Sequence, residues 1–301
     1  MHSVLPTLLL ACSLEPPVAG AVQVTTGQGS EQNPCLLPGD DTLVFTRFDH
    51  GYNDGPAAIL SVPATGGDTT ALVDAGDNDH VNLPGRCSSS DGGLLALSSD
   101  EQDRDEIWIA DLRSGDRTRL TDRPGQRSYE PAFARDDATL VFQSGVFQSG
   151  PDGGVAAIYR IGVDGIGEAA LTDGLSDARE PNPSPVTDDV VYQSDAGGTW
   201  GLWTVSLTGG DPVVLLDTPA EETDASFSSD GSLVVFATDD CAGLSCIATW
   251  DGDSVDIIAE ADDWYLGAPA LAADGTLFAE GCPGDPDEGE DTVIWRFPAG
   301  G

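Results

Sequence analysis

Tyr129-Glu130-Pro131-Ala132-Phe133 opens a stretch that runs through the polar pair Asp136-Asp137 to the apolar run Leu140-Val141-Phe142. A loop rich in Gly and Ser follows, then Ala157-Ile158-Tyr159-Arg160-Ile161, a turn at Asp164-Gly165 and a last short run ending at Asp173. Short β-branched and aromatic runs punctuated by Asp-Gly, Gly-Gly and Pro are strand and hairpin signals. The stretch therefore reads as a four-stranded antiparallel meander, with strands a, b, c and d.

The same order of runs returns along the chain. The a-b turn recurs at Gly39-Asp40, Asp91-Gly92, Asp136-Asp137, Asp188-Asp189, Asp230-Gly231 and Asp274-Gly275, and an apolar strand b follows each time. Strand c often carries an aromatic residue, as at Trp108, Tyr159, Trp203, Trp250 and Trp295. Six units of about forty residues, each of four strands, are the signature of β-propeller blades. A pair of β-sandwiches also has short, evenly spaced strands, but it does not require four strand types to return in one order six times. The expected fold is all-β: a six-bladed β-propeller with blades at about 33–79, 80–127, 128–179, 180–222, 223–265 and 266–301. The last unit stops at Pro298-Ala299-Gly300-Gly301, before any strand d. Val22-Gln23-Val24-Thr25-Thr26-Gly27 resembles the d strands of other units, so residues 21–27 are expected to complete the final blade and leave no open edge.

Composition narrows function. Asp and Glu total 52 against 12 basic residues, a net charge of -40. Phosphate binding depends on clustered positive charge, so nucleic acid is excluded as a partner. Solubility outside the cell accounts for such acidity, and a cation-binding face is the sharper alternative. Arg104, Arg113, Arg117, Arg119, Arg123, Arg127 and Arg135 crowd into the second and third units with acids between them, a pattern that favours surface ion pairs over an anion-binding strip.

Residues 1–20 read as an export leader and tether, and 21–301 as one propeller domain. Leu9-Leu10-Ala11-Cys12 resembles the lipobox of bacterial lipoproteins, which implies lipidation at Cys12, a periplasmic or cell-surface location and membrane attachment only through that anchor. The alternative is secretory cleavage near Ala19-Gly20-Ala21. Cys241 and Cys246 flank a short b-c loop and are expected to form a disulfide. Cys35 has two candidate partners, Cys87 and Cys282, and the residues do not choose between them.

In a propeller the b-c and d-a connections share one face, and here they are the long and varied ones. Loops on a rigid scaffold are where binding usually lives. The b-c face is therefore the expected working face, presenting His50, Tyr52, His80, Tyr129, Phe147, Trp264 and Tyr265. The tight a-b turns on the opposite face are expected to leave little surface for recognition. At the start of each strand a, Asn33, Gly85, Glu130, Asn182, Asp224 and Ala268 are expected to ring one mouth of the channel. Asn33, Glu130, Asn182 and Asp224 supply side-chain oxygens, the ligand chemistry of calcium, with Glu130 and Asp224 the candidate metal ligands. Strand-end capping and bound water are the simpler account of them.

Asp224-Ala225-Ser226-Phe227-Ser228-Ser229-Asp230-Gly231 before Leu233-Val234-Val235-Phe236, and Tyr129-Glu130-Pro131-Ala132-Phe133, resemble the TolB-type (WD40-like) propeller repeat. The resemblance covers about residues 22–301 and departs in the second unit, where Arg86 replaces the usual Pro. It implies a stand-alone propeller in an envelope or extracellular setting, without implying TolB's own role. The expected function is a monomeric, non-catalytic scaffold that binds an envelope protein or a polysaccharide through the b-c face. The alternatives are a metal-dependent glycan-active enzyme, with His50, His80 and neighbouring acids as ligands, and an acidic calcium-binding surface protein. No Gly-X-Ser-X-Gly nucleophile elbow supports a peptidase.

Overall fold

The computed structural model describes residues 14–27, 29–77, 79–146 and 154–299, without the side chains of 84–87. The Cys12 motif and Phe147 lie outside the described residues. After a short strand β1 (Val22–Gln23), blade 1 comprises β2 (Ser30–Leu36), β3 (Thr42–Phe48), β4 (Ala57–Pro63) and β5 (Thr70–Val73). Blade 2 comprises β6 (Asn82–Ser88), β7 (Leu94–Ser99), β8 (Glu106–Asp111) and β9 (Arg117–Arg119). Blade 3 is β10 (Arg127–Phe133), β11 (Thr139–Gly145), β12 (Ala156–Gly162) and β13 (Ala169–Ala170). Blade 4 is β14 (Ala178–Pro183), β15 (Asp189–Ser194), β16 (Gly201–Ser206) and β17 (Val213–Leu216). Blade 5 is β18 (Glu222–Phe227), β19 (Val234–Thr238), β20 (Cys246–Trp250) and β21 (Val255–Ala259). Blade 6 is β22 (Trp264–Leu271), β23 (Leu277–Pro283) and β24 (Val293–Phe297), with β1 as its fourth strand.

All pairing within blades is antiparallel, and one parallel bridge between Ala132 and Arg86 joins the inner strands of blades 2 and 3. A 3-10 turn at Pro286–Glu288 is the one helical element among the described residues, and none is long and apolar enough to cross a membrane. The six expected blades and the closing N-terminal strand are therefore both present. Val22 pairs with Arg296 and Gln23 with Trp295. The seam continues past this short ladder: Val24 N–H donates to the Ile294 carbonyl (2.8 Å), and Ile294 N–H to Thr25 Oγ1 (3.0 Å).

The repeated acidic turns have a local cause. Asp91 Oδ1 accepts from Gly93 N–H (2.9 Å), Asp136 Oδ1 from Thr139 N–H (2.9 Å), Asp230 Oδ1 from Ser232 N–H (3.0 Å) and Asp274 Oδ1 from Thr276 N–H (2.9 Å). A carboxylate that satisfies the backbone two or three residues on mimics a turn, which is why Asp stands there. The donors stabilise the charged form: Arg113 beside Asp91, and Ser232 beside Asp230, hold both acids down at about 2.

The core lies between blades. Leu43, Phe45 and Leu60 of blade 1 meet Phe278 and Ile294 of blade 6. On its other face blade 1 packs Val44 and Ile59 against Leu95, Leu97 and Trp108 of blade 2. Equivalent clusters join blades 2 and 3 around Phe142, 3 and 4 around Ile158 and Tyr192, 4 and 5 around Phe236, and 5 and 6 around Trp295. Each middle strand is buried on both faces, which is why strand b reads as a continuous apolar run instead of an alternating one.

Cys241 and Cys246 form the expected disulfide. Cys35 is disulfide-bonded and Cys282 is a free, buried thiol, so the Cys35 to Cys282 pairing is not formed. The arginine cluster is consumed internally. Arg104 and Arg119 both reach buried Glu106 and exposed Asp122, Arg117 pairs with Glu101, and Arg123 with Glu168 while lying 3.9 Å over the Tyr159 ring. Arg113, Arg127 and Arg135 pair with Asp91, Asp105 and Asp188.

Trp295 is 1% exposed, and its indole N–H donates to the Gly281 carbonyl (3.2 Å). Trp295→Ala is expected to cost about 3–5 kcal/mol, measured by urea denaturation. Val213→Ala, at a strand position 58% exposed, is expected to change stability by less than about 0.5 kcal/mol.

Candidate binding site in the central channel

The inner strands β2, β10, β14, β18 and β22 share a bulge at one level of the channel. Register slips between Gln32 and Cys35, Tyr129 and Ala132, Arg179 and Asn182, Thr223 and Ser226, and Gly267 and Ala270. The first bulged residues are Asn33, Glu130, Glu180, Asp224 and Ala268, each left-handed with φ between 44° and 54°. That backbone costs a residue with a Cβ roughly 1 kcal/mol or more, and a bond to the preceding blade of the ring offsets it. Glu180 N–H donates to Gln143 Oε1 (2.6 Å), Asp224 N–H to Gln193 Oε1 (2.9 Å) and Asn33 N–H to Glu280 Oε2 (2.8 Å). Blade 5 has Ala237 where those acceptors stand, and Ala268 N–H turns to Asp224 Oδ2 (3.2 Å) instead.

The bulges gather acids. Burial, then the charge of Asp224, a hydrogen bond shared with it and the charge of Glu130 push the Glu180 carboxyl well above its usual range, against the pull of Arg179. Glu180 Oε2 is shut off from water and accepts no hydrogen bond among the described residues. Glu280 is 3% exposed, and burial pushes its carboxyl up to about 8, with Asp224's charge adding to the rise. Its Oε1 accepts from Tyr52 and Tyr265 hydroxyls, both at 3.3 Å, and the two hydroxyls lie 3.2 Å apart. Burial and the Glu280 charge raise both phenols above their ordinary value. Cys282, close by on β23, is pushed up to about 12 by burial and by Glu280.

These placements revise the expected ring. Glu180, before the first proline of Glu180-Pro181-Asn182-Pro183, takes the position expected for Asn182. Asn182 lies past the bulge, buried, and its Nδ2 donates to the Ala225 carbonyl of the next blade (3.0 Å). Asn33, Glu130 and Asp224 are each the first residue of a bulge, with φ of 54°, 49° and 53°.

The b-c face is also less open than the sequence suggested. Tyr52 leaves its loop in blade 1 to meet Tyr265 edge-on, 6.2 Å between ring centres, beneath the channel mouth. Trp264 packs edge-on against Trp295 at 5.5 Å. Tyr129 donates to Asp105 Oδ2 (2.7 Å), which Arg127 also holds. His50 stays exposed in its loop, while His80 Nδ1 lies 3.3 Å from Asp100 Oδ1. Among the described residues no group of three or more His, Cys, Asp or Glu side chains is arranged to hold a metal ion. Glu180, Glu280, Gln143 and Gln193 are members that the sequence did not single out, and Tyr52, expected on the loop face, joins them. A signal existed: Gln143, Gln193 and Glu280 each interrupt an apolar strand b at the same step.

The Glu280 carboxyl, ordinarily near 4.5, is raised to about 8 in the fold. Its contribution to stability is complete below about pH 4.5, declines as pH rises and is lost above about 8. Glu280→Gln keeps the acceptor for Asn33 N–H. Unfolding free energies from pH 5 to 9 are expected to fall more steeply in the unmodified protein than in the variant, by on the order of 1 kcal/mol per pH unit; parallel profiles would refute the assignment.

No family model matches the chain. A curated, uncharacterised protein of Agrobacterium fabrum is 30% identical over 142 residues, which span 46% of this chain and 44% of that protein, less than half of either. A solved structure provisionally designated TolB from Agrobacterium tumefaciens has a TM-score of 0.65 at 18% identity, covering 92% of this chain and 93% of that one. TolB from Acinetobacter baumannii has a TM-score of 0.60 at 17% identity, over 81% of this chain and 60% of that one. Enzymes share the fold as well, among them an oligogalacturonate lyase and a gluconolactonase, both 15% identical to this chain. The chain has the TolB-type six-bladed propeller fold.

Proposed function

We propose that this protein is a non-catalytic binding scaffold, exported to the cell envelope or beyond, which receives a cationic group of a protein partner at the b-c mouth of its channel. The observation that carries this reading is the gathering of Glu130, Glu180, Asp224 and Glu280 along one passage, with the buried Glu180 Oε2 unpartnered. Like charges this close disfavour ionisation, and a lysine or arginine side chain entering the channel would relieve them. Calcium is the weaker reading, because among the described residues no group of three or more His, Cys, Asp or Glu side chains is arranged to hold a metal ion. A polysaccharide partner is less well supported, because Tyr52, Tyr265 and Trp264 pack inward instead of offering flat faces for sugar rings. Lipid attachment at Cys12 belongs to this reading as the means of retention at a membrane.

Two measurements separate these possibilities. Pull-down from the native envelope fraction is expected to recover a protein that Glu180→Gln combined with Asp224→Asn loses, and whose affinity falls as salt is raised from 50 to about 500 mM, as screened charge requires. A partner retained by the double variant, or indifferent to salt, would overturn the proposal. Calorimetric titration with calcium is expected to show at most one site that the double variant removes; many weak sites would favour bulk ion binding by the acidic surface.

A further inference from the structure

A cavity opens on the face whose tight a-b turns were expected to leave little surface for recognition. It holds about 490 Å³ at the a-b end of the channel, within the range that small-molecule sites occupy. Its walls come from five blades: Leu36, Leu37 and Pro38 of blade 1, Ser88 and Ser90 of blade 2, Pro185 of blade 4, Phe227 of blade 5 and Leu271 of blade 6. Of the serines that reach it, Ser88, Ser90, Ser226 and Ser229, two have their hydroxyls engaged elsewhere. Ser226 Oγ donates to the Pro269 carbonyl (3.4 Å), and Ser90 bonds through both its N–H and its hydroxyl to Asp137. The cavity therefore offers a ligand mainly apolar surface.

Its charges have one sign. Asp40 stands among the lining residues, its Oδ2 held by Ala273 N–H (2.8 Å). At the inner end, lining residue Ser226 lies two positions after Asp224 on β18, roughly 7 Å along a strand, so the acidic level of the channel begins just behind the floor. No arginine side chain lines the cavity among the described residues.

We propose that this cavity is a second binding site, distinct from the b-c mouth, for a small apolar cation of the alkyl- or arylammonium class. The hydrocarbon part fills the space among Leu36, Phe227 and Leu271, and the ammonium group faces the carboxylates. An anion of the same size meets the same walls but is repelled at both ends, and a neutral analogue gains only the apolar contact.

The test is calorimetric titration of the full chain with hexylammonium, hexanol and hexanoate at one ionic strength. Hexylammonium is expected to bind at least tenfold more tightly than hexanol, with hexanoate weaker than both. Leu271→Trp and Phe227→Trp, which fill the space from two blades, are expected to abolish binding, and Asp40→Asn to weaken it severalfold. Leu244→Ala, on the opposite face, is expected to leave it unchanged. Urea denaturation of each variant separates loss of the site from loss of the fold, and either filling variant suffices if the other unfolds. Equal affinity for the three probes, no binding of hexylammonium, or binding that persists in a folded filling variant would each overturn the proposal.

Discussion

Each blade buries both of its faces against neighbours, and that single demand governs the molecule. A sheet packed on both sides needs bulky apolar residues pointing both ways from its middle strands, as Phe45 toward blade 6 and Val44 toward blade 2 show. A sheet at the end of an open row would leave one such face in water. Closing the row into a ring removes both ends at once, and hydrogen bonds from Val24 and Ile294 fasten the seam. The channel is then a by-product of how six wedges meet, and what lines it depends on one bulged position per blade.

That bulge links architecture to chemistry. The left-handed turn at Glu180, Asp224 and Asn33 frees an N–H that the neighbouring blade accepts, so the inter-blade bond and the channel-lining residue are specified together. Asp224 shows the economy of this arrangement: its N–H bonds backward to blade 4, and its carboxylate bonds forward to Ala268 of blade 6. The acids therefore have structural duties, and their mutual repulsion is sustained by a scaffold fixed independently by its apolar layers.

The fold was legible because its determinants are local. Asp at the a-b turn bonds the backbone within three residues, and the apolar run that follows is dictated by two-sided burial. The apolar run repeats in all six units and the Asp bond in four of them, at Asp91, Asp136, Asp230 and Asp274, so a single chain displays the rule several times over. The candidate site was legible only where it followed that rule. Glu130 and Asp224 could be placed by counting from the turn, whereas two proline pairs in a row shifted the count in blade 4 from Glu180 to Asn182. Tyr52 could not be placed, because the path of a long loop across the channel mouth is set by tertiary contacts with Tyr265 and Glu280. The apolar cavity was missed for a related reason: its walls combine the a-b end of blade 1 with residues of blades far apart in sequence, and short turns conceal what they enclose.

The seam between β1 and β24 has a temporal consequence. Thr25 and Ile294 are separated by 269 positions, so during synthesis β1 has no partner until all six blades of the propeller have followed it. Growing blades can stack in order as they emerge, yet each intermediate exposes a raw flank. Contacts this far apart in sequence carry the largest loop-closure entropy in the fold, which is the feature that slows the folding of molecules built on non-local pairing.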